Sequence, residues 1–118
     1  MKKIQIKRIY VDAEDEDGYR ILVDRLWPRG IKKEYAKLDE WNKDIPPSDD
    51  LRKWFDHQPE RFKEFEKKYR MELTKKKEDL RRVRDIAKHT NLTLLYGAKD
   101  PHINHAAVLL KVLEKMKG

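Results

Sequence analysis

Cysteine is absent from the 118 residues. Without it there is no disulfide framework and no thiolate chemistry, and a reducing compartment, the cytoplasm, is the expected setting. Uncharged polar side chains are almost as scarce: three Asn, two Gln, one Ser and three Thr. Lysine and glutamate fill the surface instead, a bias expected of proteins from hot environments, where ion-pair networks gain value and Asn and Gln are liabilities. No apolar run approaches about 18 residues, so no segment is expected to span a membrane. The chain runs from Met1-Lys2-Lys3 straight into a strand-like pattern, which argues against a secretory leader. A Gly-rich phosphate loop, a GxSxG motif and a dinucleotide fingerprint are also missing, and no cofactor is expected.

What is present is charge. Charged residues make up 43% of the chain and apolar residues 38%, with the apolar ones concentrated in runs such as Ile21–Val23, Leu92–Leu95 and Val108–Leu110. Dense runs favour a packed domain over disorder. The length suits one domain, residues 1–118. The net charge of +7 is uneven: residues 61–91 carry 12 basic and 6 acidic groups, whereas residues 1–60 carry 13 and 14. A basic face of that kind attracts nucleic acid or anionic metabolites, or is merely a solvated helix surface.

Residues 3–11 read as a strand whose phase slips between Ile6 and Ile9, as a bulge would cause. The acidic stretch Asp12–Gly18 fails as a calcium loop, with glycine one place late and Val23 where the bidentate glutamate belongs. It reads as a solvated loop. Residues 19–27 form the strongest strand pattern, apolar on both alternating faces, which places it inside a sheet covered on both sides. Pro28-Arg29-Gly30 ends it. A turn or two of helix is expected within 33–43, around Leu38 and Trp41. Ser48 caps a helix ending near His57, and Pro59 opens the next. Apolar positions keep a helical period from Pro59 to Lys88, but one helix of that length would span about 45 Å. A globule of this size is about 35 Å across, so a break is expected near Thr74–Lys77. Leu92–Tyr96 is a second buried strand. Asp100 should cap a last helix starting at Pro101, with Ile103, Ala107, Leu110 and Leu113 inward. These elements predict an α/β fold: a small three-layer domain with a mostly parallel sheet flanked by helices. Residues 21–27 and 92–96 should lie side by side and parallel.

In such sheets ligands bind beyond the carboxyl ends of the strands. The first strand end offers Asp24, Arg25, Trp27 and Arg29. Charges that interrupt a buried strand must be paired or used. The second offers Tyr96, Lys99, Asn104 and His105, at a helix start whose amides can hold an anion. His105 is either a proton carrier, with Asp24 orienting it, or a core histidine bonded across to the sheet. His102 and His105 share a helix face without any further ligand pattern, so no metal site is expected.

Several segments carry a resemblance. Asp17-Gly-Tyr-Arg-Ile-Leu-Val-Asp-Arg-Leu-Trp-Pro-Arg-Gly30, Leu38-Asp-Glu-Trp41, Leu51-Arg-Lys-Trp-Phe55, Leu94-Leu-Tyr-Gly-Ala-Lys-Asp100 and Asn104-His105 follow the order of the YeaO-like proteins, a branch of the "domain of unknown function 488" family. The resemblance spans nearly the whole chain and implies a small α/β domain, without bringing a reaction. The wider family tends to carry a cysteine at the position of Tyr96 and Cys-His-Arg at the position of Asn104-His105-Ala106. Only the histidine is kept here, so thiol chemistry does not transfer.

The favoured expectation is a strand-end pocket for a small anionic ligand bearing phosphate or carboxylate. Arg25, Arg29 and Lys99 would supply charge, Trp27 and Tyr96 walls, and Asp24 with His105 any catalysis. Two alternatives stand beside it: nucleic-acid binding by the basic face of 61–91, and a non-catalytic partner-binding surface around Trp41 and Trp54.

Overall fold

Leu92–Tyr96 buries all five of its side chains, as a strand covered on both faces of its sheet does. The computed structural model, which describes residues 2–116, gives it that position. The sheet has four strands, β1 (Ile4–Arg8), β2 (Tyr19–Leu22), β3 (Glu40–Trp41) and β4 (Leu92–Tyr96), in the spatial order β1-β4-β2-β3. Every pairing is parallel; Tyr19–Leu22 run beside Leu92–Leu95 in register. The helices are α1 (Lys33–Ala36), α2 (Asp49–Phe55), α3 (Phe62–Leu73), α4 (Lys77–Ile86) and α5 (His105–Lys115). No helix is long and apolar enough to cross a membrane among the described residues.

The two faces are covered unequally. Ile21, Val23, Leu92, Leu94 and Tyr96 form one core with apolar residues of α2 to α5. Leu22 and Leu95 face the other way, onto Ile9 and Ala36, with Trp27, Ile31, Leu38 and Trp41 closing over them. That second layer is the one-turn α1 and its loops.

This asymmetry removes the bulge expected in β1. Ile4 and Ile6 face the larger core, whereas Ile9 belongs to the smaller one, on the side of Gln5 and Lys7. The apolar residues change faces without any slip of the backbone, and the Ile9 amide continues the ladder to the Tyr96 carbonyl. Val11 is exposed.

Three further expectations are corrected. The strand at 19–27 stops at Leu22, with one more ladder bond from the Val23 amide to the Leu95 carbonyl. Residues 24–27 turn away, Leu26 is 61% exposed, and strict alternation no longer applies to Asp24 and Arg25. Within 33–43 there is one turn of helix followed by strand β3, whose Trp41 pairs with Leu22. The last helix starts four residues later than expected: Asn104, not Asp100, caps it, accepting from the Ala107 amide. Asp100 instead caps a separate turn, accepting from the His102 and Ile103 amides. The buried residues of α5 are Ala106, Val108, Leu109 and Leu113, so of the expected helical stripe Leu113 is kept and Ala107 and Leu110 are not. The break at 74–76 is present, and the longest dimension of 37 Å shows why it must be. Ser48 caps α2 as expected.

The acidic loop is not merely solvated. Its last turn delivers Asp17, 2% exposed, to the amino end of the smaller face. There its carboxylate meets Arg20 at 2.5 Å and Lys7 at 3.1 Å and accepts from the Glu14 amide. Thr93 of the central strand donates to the Asp17 carbonyl. Gly18 makes this possible: its φ is +65°, and a Cβ there would collide with the Asn91 carbonyl.

Burial by itself would raise the Asp17 pKa, but the Glu14 amide, Lys7 and Arg20 outweigh it and hold the carboxyl below its ordinary 3.8. A depressed folded pKa contributes stability above the unfolded value and loses it as pH falls through the folded one. Asp17→Asn should therefore cost about 3 kcal/mol at neutral pH in urea denaturation, because it leaves buried Arg20 without a carboxylate and Lys7 with only the exposed Glu14. The gap to the unmodified chain should close as pH is taken below 3.8. A gap independent of pH would show that the charge of Asp17 is not what stabilises this end of the sheet.

Candidate functional site

Past the last ladder bond of β2 the chain bends, and the loops after β2 and β4 meet. Asp24 accepts from the Gly97 amide through Oδ2 at 2.9 Å, tying the two strand ends together. Gly97 allows the approach, since a Cβ there would press on that same oxygen at 3.1 Å. His105, the first residue of α5, reaches the same point. Its Nε2 lies 2.7 Å from the Val23 carbonyl and 2.9 Å from Asp24 Oδ1.

A ring nitrogen facing two oxygens must carry the proton, because an unprotonated one would repel both. Its N–H points at the Val23 carbonyl, and Asp24 Oδ1 is left buried without a hydrogen bond of its own. The other ring nitrogen, Nδ1, makes no hydrogen bond to the described residues and is not among the buried unpartnered atoms. It is thus the side of the imidazole left free for a further partner. The bonded-across-the-sheet reading of His105 and its contact with Asp24 hold together in one geometry.

Around this junction lies a cleft of about 650 Å³. Asp24, Arg25, Trp27, Arg29, Lys99, Asn104 and His105 all line it. Tyr96 does not: it is 2% exposed in the larger core, and its burial raises the hydroxyl pKa. Asn104 is spent on structure, with Oδ1 capping α5 and Nδ2 donating to the Asp100 carbonyl. Arg25 sends Nε and Nη2 to the carbonyls of Pro47 and Pro46. The Trp27 indole donates to Ile31 and packs edge-on against Trp41 at 5.3 Å. Trp41 in turn donates to the Asp24 carbonyl, so it braces the site from behind. Trp54 lies elsewhere, beneath the side chains of Lys68 and Arg61.

The opposite wall has no counterpart among the residues expected from the sequence. Pro46 and Pro47, then Arg52, Phe55 and His57 around the end of α2, and Phe65 of α3 complete the cleft. Asp56 and His57 both adopt left-handed backbone, φ 46° and 53°, which turns the chain back after α2 toward Pro59. The Pro-Pro pair is the sole local signal for this wall, and it reads as a helix breaker. Among the described residues no three His, Cys, Asp or Glu come together as a metal would need.

Of the two lining acids, Asp24 is engaged as above. The His102 and Ile103 amides hold the Asp100 carboxyl below its ordinary range. The cations differ. The Arg29 and Lys99 side chains make no hydrogen bond or ion pair among the described residues, and Arg52 meets only Asp49, at 3.4 Å.

Comparison with known proteins bears out the resemblance in the motifs. A family model described as "Inactive DUF488-N3 subclade" matches residues 3–117. The chain is 51% identical to the protein YeaO of Escherichia coli K12 over 113 residues, covering 96% of this chain and 98% of that one. It is 39% identical to uncharacterised proteins of Mycobacterium tuberculosis H37Rv and Mycobacterium bovis, over 94% of this chain and 93% of each relative. No solved structure matches. Identity at this level over nearly full lengths, with the family match, is decisive: the chain belongs to the YeaO-like proteins of the DUF488 family.

Proposed function

We propose that this protein binds a small anionic ligand in the strand-end cleft and does not turn it over. The observation that carries the reading is the imbalance of uncommitted charge. Backbone amides hold the Asp100 carboxylate and one oxygen of Asp24, whose other oxygen faces His105, while Arg29 and Lys99 are uncommitted and Arg52 is only loosely paired. An anion entering the cleft meets charge that the fold has not used.

Two further facts favour binding over turnover. No serine, threonine or cysteine lines the cleft, so a Ser-, Thr- or Cys-type nucleophile is missing from it. The family's own description is of an inactive subclade. His105 then serves as a clamp on the strand end, with Nδ1 free to meet a polar group of the ligand.

Nucleic-acid binding by 61–91 ranks second. In that segment Lys68 pairs with Glu64, Arg70 with Glu66 and Arg82 with Glu40, and Arg84 donates to the Leu113 carbonyl. Fewer cations remain for phosphates. If this face does bind nucleic acid, affinity should fall steeply with salt, and reversing Lys75, Lys76 and Arg81 should abolish it. A mobility-shift assay at low salt in which no oligonucleotide is retarded removes this reading.

Inorganic phosphate at millimolar concentration should shift the amide resonances of Arg25–Gly30 and Gly97–Asp100. The double variant Arg29→Ala, Lys99→Ala should weaken that binding about tenfold, the worth of one to two charge-assisted contacts. Unmoved cleft resonances, or equal affinity in the variant, would sink the proposal.

His105→Ala should cost about 1–3 kcal/mol of stability, because it leaves the Val23 carbonyl and Asp24 without their partner. Chemical denaturation measures this directly. A variant as stable as the parent would mean that His105 is not a clamp and is kept for something else.

A further inference from the structure

We infer that the ligand is an amphipathic anion, with an apolar body seated inside the cleft and a carboxylate or phosphate held at its rim. This deepens the anion-binding reading and rests on it. Size and radial order carry the inference.

The cleft measures about 650 Å³. A bare oxyanion displaces roughly two waters, about 60 Å³, and would leave most of that space to solvent. Clefts of roughly 300–1,000 Å³ suit organic molecules that bury most of their own surface.

The order of lining residues from floor to mouth gives the ligand its polarity. Phe65 and Phe55 are 2% and 6% exposed, and Pro46 and Pro47 are buried with them. Arg29, Arg52 and Lys99 lie further out, toward the mouth, and all three are exposed. Apolar surface therefore lies deep and uncommitted cations lie shallow. Arg25, the half-buried cation between them, does not break the order, because its Nε and Nη2 are spent on the proline carbonyls and pin that wall. An anion drawn to the floor would give up its hydration against phenyl and proline rings. With the body inward and the charge outward, both layers are matched: aromatic and proline faces pack against apolar groups, and the anion keeps water on one side.

Three probes test this on the unmodified chain, each followed by the amide shifts of Arg25–Gly30 and Gly97–Asp100: inorganic phosphate, phenyl phosphate and benzyl alcohol. Phenyl phosphate should bind at least tenfold more tightly than inorganic phosphate, about 1.4 kcal/mol. Benzyl alcohol should bind more weakly than phenyl phosphate, and Arg29→Ala should reduce that difference. Should phenyl and inorganic phosphate bind this cleft equally well, the apolar body is refuted while anion binding stands. Should benzyl alcohol match phenyl phosphate, the charge is irrelevant and the anion-binding reading falls, taking this inference with it. Both fall as well if none of the three moves the cleft resonances.

Discussion

Val23 is where the molecule is fastened. Its amide makes the last bond of the β2–β4 ladder, to the Leu95 carbonyl. Its side chain is fully buried in the larger core. Its carbonyl points past the end of the ladder, where no strand can satisfy it, and a buried orphan acceptor costs about 1–3 kcal/mol. His105 supplies the missing donor, and in doing so sets the first turn of α5 against the end of the sheet. Asp24 then ties the same point to Gly97. Two strand ends and one helix start are thus brought within hydrogen-bond distance of each other, and the cleft is the space their departing loops leave.

The opposite end of the sheet is fastened by different means. At the carboxyl end the smaller face is apolar, with Ile9, Leu22 and Leu95 beneath the two tryptophans. At the amino end it is ionic, with Asp17, Arg20 and Lys7 around Thr93. One short helix cannot cover the whole face with apolar residues. The acidic loop fills the remainder, bringing its own carboxylate to neutralise two cations that would otherwise be stranded. Charge on this face is structural at one end, while the cations at the cleft mouth are not absorbed by the fold.

The larger face is thick for a practical reason. Phe55 and Phe65 stack along the cleft with ring centroids 4.4 Å apart, and Tyr69 packs tilted against Phe65 at 5.8 Å. The Tyr69 hydroxyl donates to the Ile45 carbonyl, which holds the Ile45-Pro46-Pro47 segment against the core. Arg25 fixes the same segment from the other side. The apolar wall is therefore pinned by hydrogen bonds on both flanks.

Much of this was legible from the residues alone. Leu92–Tyr96 declares a central strand because its apolar run, bounded by Asn91 and Gly97, is too short for a buried helix. Ser48 and the apolar gap at 74–77 mark a helix start and a helix break, since caps and period are local properties. The family was readable as well, from segments spread along the chain. The pairing of Asp24 with His105 followed from parallel topology, which sends both strand ends to one edge. Where β2 stops could not be read, because Asp24-Arg25-Leu26-Trp27 keeps a strand's alternation and only the bonds made by residues 73 positions away decide otherwise. Nor could the choice between Asp100 and Asn104 as the cap of α5, as both are good caps and the docking of His105 on Val23 selects one. The cleft's far wall, from Pro46 to Phe65, is a purely tertiary product. Periodicity assigns those residues to a core, but it cannot say that one side of the core stays open.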